Sequence, residues 1–272
     1  MNTERIIKIA LDLVDMEKLP SDSAVHVPGS DIQRVLYGID IGSAELYYAK
    51  DAGYDAVITH HPVGLVDYYK VFRRHQDQLV EKGVPHEEAR KVVEEKLPSL
   101  KVGAHARNYA AIPAFAQLIG MPFLNIHCPS DELGRRLINH AIEDFMEKES
   151  HPSLQSVASF LEATFPEFQN AKTKIEVIKG DSTQGIGKWV FSHGALTNGG
   201  FSIANLYFQN HIDTVIYIHI APTELARILT LDYGQLIITG HLASDSIGIN
   251  PFLDNLEEEG IEVTAIGGMI RI

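Results

Sequence analysis

The stretch YDAVITHHPVG, residues 54–64, is an apolar strand that runs out into two adjacent histidines, His60 and His61, and a proline. A second strand ends in the same way in QLIITGHLASD, residues 235–245, and places His241 and Asp245. Ligands of open α/β sheets sit outside the carboxyl ends of the strands. Imidazoles and a carboxylate at two such ends are therefore what a metal site in this kind of sheet would use. The residues around the first stretch give the connection. Val35 to Ile39 reads as a short buried strand, Ser43 caps a helix carrying Glu45 in its first turn, and Gly53 ends that helix before the strand Ala56 to Thr59. This is a βαβ unit, which implies parallel strands and a right-handed crossover.

Working outward, Ile6, Ile7, Ala10, Leu13 and Val14 recur at helical spacing and predict an amphipathic opening helix. Residues 66–97 carry many charges at helical spacing, broken by Gly83 and Pro85, and read as two solvated helices. Leu100 to Gly103 is expected to be a strand that exits at His105, and Phe123 to Ile126 another short one. Ser130, with Asp131 and Glu132 behind it, is expected to cap a long helix reaching about Met146. Further strands are expected at Thr173–Ile178, Trp189–Ser192, Leu236–Thr239 and Ile261–Ala265, with helices at Pro222–Leu229 and Ile247–Glu259.

AKDAGYDAVITHH (49–61) can be set against YFQNHIDTVIYIH (207–219), matching Asp55 to Asp213 and His61 to His219. The expected architecture is α/β: two similar halves with mainly parallel central strands flanked by helices, and a metal site in the crevice between them. The expected boundaries are 1–126 for the first half, 127–170 for a helical connection and 171–272 for the second half.

The composition excludes several function classes. A net charge of −13 disfavours nucleic acid, whose affinity comes from Lys and Arg neutralising phosphates. Cys128 is the single cysteine, so no intrachain disulfide can form and a reducing cytoplasm fits. The charged N-terminal stretch MNTERIIKIALDLVDM does not resemble a signal peptide, and no run of 18 apolar residues could span a membrane. The glycine pairs at 199–200 and 267–268 match neither a P-loop nor a dinucleotide fingerprint, and no serine stands in a G-x-S-x-G context.

Each candidate residue has an ordinary reading beside the functional one. His60 and His61 are metal ligands, or two polar residues where a strand meets the surface. His241 and Asp245 are four apart, so a helical turn starting there would project both from one face. Alternatively Asp245 or Ser244 simply caps a helix that begins near Ser246. His105 is a third strand-exit histidine, with Asn108 and Tyr109 after it. His127, with Asp131 beyond it, is expected no closer to a metal than the second shell.

ITHHP, then HARNYAA after a strand exit, then GHLASD near the C-terminus resemble, in order and over nearly the whole chain, the Ngg-one-interacting-factor-three-like family. Its members are often described as GTP cyclohydrolase I type 2 homologues. The resemblance implies two α/β halves around a two-metal site, homohexameric rings, and metal ligands at His60, His61, His241 and the acid at 245, where the family usually has glutamate. Where the family pattern approaches H-T-N-L-D, aligning on His105 puts Tyr109 at the acid. A phenol, with a pKa of about 10, replaces a carboxylate ligand poorly. Either the metal count falls, or His105, Asp40 or Asp131 substitutes.

The expected function is a metal-dependent, cyclohydrolase-like hydrolase of a small nucleotide-like or phosphorylated molecule. It would use one or two divalent ions per chain (zinc, manganese or iron), with His105 or Tyr109 donating a proton or orienting water. The alternative is a non-catalytic, ring-forming protein for metal binding, delivery or interaction.

Overall fold

The stretches 54–64 and 235–245 end inner strands of two separate sheets with the same plan. The computed structural model describes all 272 residues. Along the first half run α1 (Thr3–Asp12), β1 (Ala24–Val27), β2 (Arg34–Gly38), α2 (Ser43–Asp51), β3 (Ala56–Thr59), a 3₁₀ turn (Tyr68–Arg73), α3 (Arg74–Glu81), α4 (His86–His105), α5 (Ala111–Ile119) and β4 (Phe123–Asn125). The helices α6 (Cys128–Lys148), α7 (Leu154–Thr164) and α8 (Pro166–Asn170) connect the halves. Then come β5 (Glu176–Lys179), β6 (Trp189–Phe191), α9 (Gly200–Gln209), β7 (Thr214–Tyr217), α10 (Pro222–Leu229), β8 (Gln235–Ile238), α11 (His241–Glu258) and β9 (Glu262–Ile266).

The first sheet has the order β1-β4-β3-β2-β9 and the second β5-β8-β7-β6. In each, one edge strand is antiparallel and the other pairings are parallel. Both antiparallel edges carry a register shift at the same place, between Val25 and Val27 and between Val177 and Lys179. The repeated aspartates have a shared duty. The Asp55 carboxylate accepts the Arg34 backbone N–H at 2.8 Å, and Asp213 accepts that of Lys188 at 2.8 Å. Each carboxylate thus pins the start of the neighbouring parallel strand, and this fixes the register of the pair.

Several expectations need correction. Ser43 and Ser130 are not caps but lie inside α2 and α6, which are entered from Gly42 and His127. Leu100–Gly103 is not a strand but the last turns of α4. Ala89, Val93, Leu97, Leu100 and Ala104 keep helical spacing, and Ala89, Val93 and Leu97 pack into the core formed with α9 and β7. Helix α11 starts at His241, not near Ile247, so its first turn carries the motif. The chain also does not end inside the second half. β9 pairs parallel with β2, Val35 opposite Val263, and completes the first sheet. Helix α11 makes that return possible: Ala243 and Ile247 lie in the second-half core, whereas Phe252, Leu253 and Leu256 lie in the first.

Helices α6 and α11 cross at two glycines. A Cβ on Gly248 would run into the Ser130 carbonyl and lie 2.7 Å from the Gly134 nitrogen, and one on Gly134 would lie 3.3 Å from the Gly248 nitrogen. Only glycine lets the two backbones approach so closely. Because of this crossing, the first turns of both helices, and the acids they carry, face one crevice.

Candidate metal centre

β3 delivers His60 and His61. Their backbone N–H groups donate to the carbonyls of Gly38 and Ile39 at 2.9 and 3.0 Å, which extends the parallel ladder beyond Thr59. His60 is fully buried. Its Nδ1 lies 3.1 Å from the Ile126 carbonyl, so Nδ1 is the donor and, in the neutral ring, Nε2 carries the lone pair. His61 is more open, and its Nδ1 lies 2.8 Å from Asp40 Oδ1. β4 runs out into His127, whose Nδ1 is 2.7 Å from the buried carboxylate of Asp22. Two histidines thus have a carboxylate behind Nδ1, the arrangement that fixes the tautomer of metal-ligating imidazoles.

Helix starts supply the acids. Asp131 is four residues beyond His127 on α6, and Asp245 four beyond His241 on α11; both carboxylates are buried. Asp131 Oδ1 lies 3.1 Å from His60 Nε2 and 3.6 Å from His193 Nε2, and Oδ2 lies 3.5 Å from His127 Nε2. Asp245 Oδ2 lies 3.0 Å from His241 Nε2 and 3.7 Å from Nε2 of both His60 and His61. Despite these approaches, His60 Nε2, His193 Nε2, Asp131 Oδ1 and Asp245 Oδ2 are all buried without an aligned hydrogen bond. Buried polar atoms are ordinarily satisfied. Four that converge with lone pairs inward fit a cation between them.

The ligand atoms of three overlapping triads lie within 4.8 Å of one another: His60–His61–His127, His61–His241–Asp245 and His60–Asp131–Asp245. These buried His and Asp groups could hold a metal ion.

The electrostatics agree. Burial opposes charge on Asp131 and Asp245, but the surrounding imidazoles outweigh it and hold both well below the usual carboxylate range. Burial would likewise lower His127, yet Asp131 and Asp22 outweigh it and carry it up to about 9. His61 is raised in the same way, against its burial, by Asp245 and Asp40.

The cluster opens into a cavity of about 320 Å³ that also reaches Tyr68, Arg107, Asn198 and His219. Helix α3 holds the far wall. Arg74 Nε donates to the Gly194 carbonyl at 2.8 Å, Gln78 Nε2 to that of His193 at 2.6 Å, and His75 Nε2 lies 2.8 Å from the Thr197 carbonyl. Buried Glu132 accepts from Arg74, Arg135 and Arg136, which locks the first turn of α6.

Of the residues singled out in the sequence, the structure brings His60, His61, His241 and Asp245 together. It does not bring His105 or Tyr109 to them. His105 is exposed at the end of α4, and Tyr109 lines a separate cavity of about 200 Å³ beyond Pro62 and Val63. Asp131, expected only as a substitute acid, faces His60. His127 stands inside the cluster rather than behind it, and His193, which no sequence pattern marks, also reaches Asp131. One signal was available: HCPSDELG (127–134) and HLASDSIG (241–248) share H-x-x-S-D-x-x-G.

No family profile and no curated protein matches the chain. Among solved structures it is similar to a NIF3 superfamily protein from Sphaerobacter thermophilus, at 42% identity over 99% of each chain with a TM-score of 0.95. The chain belongs to the NIF3 superfamily. The fold is also shared with reduced HcgD from Methanocaldococcus jannaschii, at 16% identity over 97% of each chain and a TM-score of 0.56. A Staphylococcus aureus hypothetical protein matches at 13% identity over 98% of this chain and 96% of its own, with a TM-score of 0.54. No helix is long and apolar enough to cross a membrane.

Proposed function

We propose that this chain is a metal-dependent hydrolase-like protein, of the kind called GTP cyclohydrolase I type 2 homologues, acting on a small nucleotide-like or phosphorylated substrate. The observation that carries this reading is the set of four buried, unpartnered polar atoms facing one another at the floor of an open cavity. His60, His61, His241 and Asp245 would hold the metal, joined by His127, Asp131 and His193. A mixed imidazole and carboxylate set suits one or two ions of zinc, manganese or iron. Bound there, such an ion supplies a Lewis acid that makes water nucleophilic near neutral pH.

The chain's own groups do the rest. Asp40 and Asp22 keep Nε2 of His61 and His127 turned to the cluster. The proton-handling role expected of His105 or Tyr109 falls instead to His219, whose ring stands at the cavity mouth 4.4 Å from that of His241. Exposed Tyr47, Tyr48 and Leu118 on α2 and α5 favour a self-assembled form and support the homo-oligomeric ring expected by resemblance.

The test is elemental analysis of gently purified protein together with hydrolysis assays on nucleoside triphosphates and simple phosphate esters. Metal in the wild type, lost in His60→Ala/His61→Ala together with turnover, supports the reading. Metal without turnover of any substrate leaves the metal-binding assembly protein. No metal, even after reconstitution, overturns both.

A further inference from the structure

The chain has ten arginines. Nine of them lie within 4 Å of a carboxylate: Arg5, Arg34, Arg73, Arg74, Arg90, Arg135, Arg136, Arg227 and Arg271. The tenth, Arg107, has no carboxylate partner, although acidic residues outnumber basic ones by 36 to 23. It is also the only Lys or Arg that lines the metal cavity. Its guanidinium lies over the ring of Tyr68, 5.0 Å from the centroid, and Tyr68 lines the same cavity.

We propose that Arg107 is the anion-recognition residue of this cavity and binds a phosphoryl or carboxylate group of the substrate, a role that rests on the cavity receiving a small substrate. The contact places the guanidinium over the Tyr68 ring, and none of its N–H groups donates a hydrogen bond within the chain. Those groups are the part that forms paired hydrogen bonds with the oxygens of a phosphate or carboxylate.

The surroundings favour such a group. The cavity wall carries Asp40, Asp131 and Asp245, and the whole chain is strongly acidic. An anionic ligand therefore gains from a fixed cation that meets the part of it that does not reach the metal cluster. A lysine at this position would be a weaker solution, because a point charge neither stacks as a plane nor offers a fork of donors.

Arg107 is exposed, lies outside the helices, and can be replaced without disturbing the core. The experiment is calorimetric titration of the protein as purified, with its metal content measured in parallel, using phenyl phosphate, benzoate and phenol as probes. Wild type should bind at least one of the two anions and not phenol. Arg107→Ala should weaken that binding by about tenfold or more, the usual worth of charge-assisted hydrogen bonds. Arg107→Lys should fall between, and metal content and Tm should stay unchanged in both variants. A preference for phenyl phosphate assigns a phosphoryl group, and one for benzoate a carboxylate. Equal affinities in wild type and Arg107→Ala, or no binding of either anion at millimolar concentration, overturn the proposal. If the protein holds no metal but Arg107-dependent anion binding persists, the metal reading fails and the anion site stands.

Discussion

The two helix starts HCPSDELG and HLASDSIG occupy equivalent places in the two halves, yet their surroundings differ. In the first, His127 is buried and braced by the buried Asp22 carboxylate, while the Ser130 hydroxyl has no partner. In the second, His241 is partly exposed, its Nδ1 has no hydrogen bond, and it packs against the rings of His61 and His219. Here the serine is the satisfied member, with Ser244 Oγ 2.7 Å from the Gly240 carbonyl and 2.8 Å from Thr239 Oγ1. The same motif thus supplies a fixed inner wall in one half and an accessible rim in the other. Duplicated sequence gives duplicated backbone; what each copy packs against decides its chemistry.

The sharpest way to break this comparison is at the helix crossing. Gly248→Ala drives a methyl into the Ser130 carbonyl, and backbone on both sides leaves it nowhere to go. The expected loss is about 3 kcal/mol or more in chemical denaturation, at the upper end of overpacking effects. Gly134→Ala meets only contacts of 3.3–3.4 Å and should lose about 1–2 kcal/mol. Equal losses would mean that the crossing is symmetric after all.

Next in size is the bracing of the histidines. Asp22→Ala removes the buried partner of His127 and should lower metal affinity about 10- to 100-fold. Asp40 is 79% exposed, so Asp40→Ala should weaken binding less. A chelator competition titration on both variants ranks them, and the reverse order would place the rigid wall at His61.

Acid and base then test the wall separately. His127 is raised to about 9, above its ordinary value, so its contribution to the metal-free fold is complete below about pH 6.5 and lost as pH rises through about 9. The depressed carboxylates of Asp131 and Asp245 act oppositely: their contribution is present above the ordinary carboxylate pKa and lost as pH falls. Metal-free protein should therefore lose stability toward both extremes, and His127→Gln should flatten the alkaline limb. Because ligands must shed protons, metal uptake near neutral pH should release acid into weakly buffered solution. An unchanged alkaline limb in His127→Gln would remove this account.

The smallest effect is expected where the sequence reading placed chemistry and the structure did not. His105→Ala and Tyr109→Phe should leave metal content unchanged and stability within about 0.5 kcal/mol, as for ordinary surface positions. Loss of metal in either would return these residues to the site.

Much of the candidate site was legible because strand exits advertise themselves. An apolar run that ends in His-His-Pro, or in Gly-His before a helix, marks the carboxyl edge of a sheet whatever its neighbours are. His193 was harder to see, since β6 is three residues long and a lone histidine after so short a run carries no pattern. Asp131 was masked by its plausible service as a helix-start acid, a job that the same residue type performs without any metal. Leu100–Gly103 misled because a short apolar run reads as either helix or strand. Its continuation of the α4 face, set by packing onto α9, settled the matter.

By itself the sequence determined the α/β class, the parallel βαβ units, the repeated halves, and the family resemblance through ITHHP and GHLASD, because periodicity and strand-end chemistry are local properties. Only the tertiary structure decided that β9 returns to the first sheet, that α6 and α11 cross at Gly134 and Gly248, and that His60, His127 and His193 meet around Asp131. Those facts depend on which surfaces of distant segments fit together, and no window of neighbouring residues contains that information.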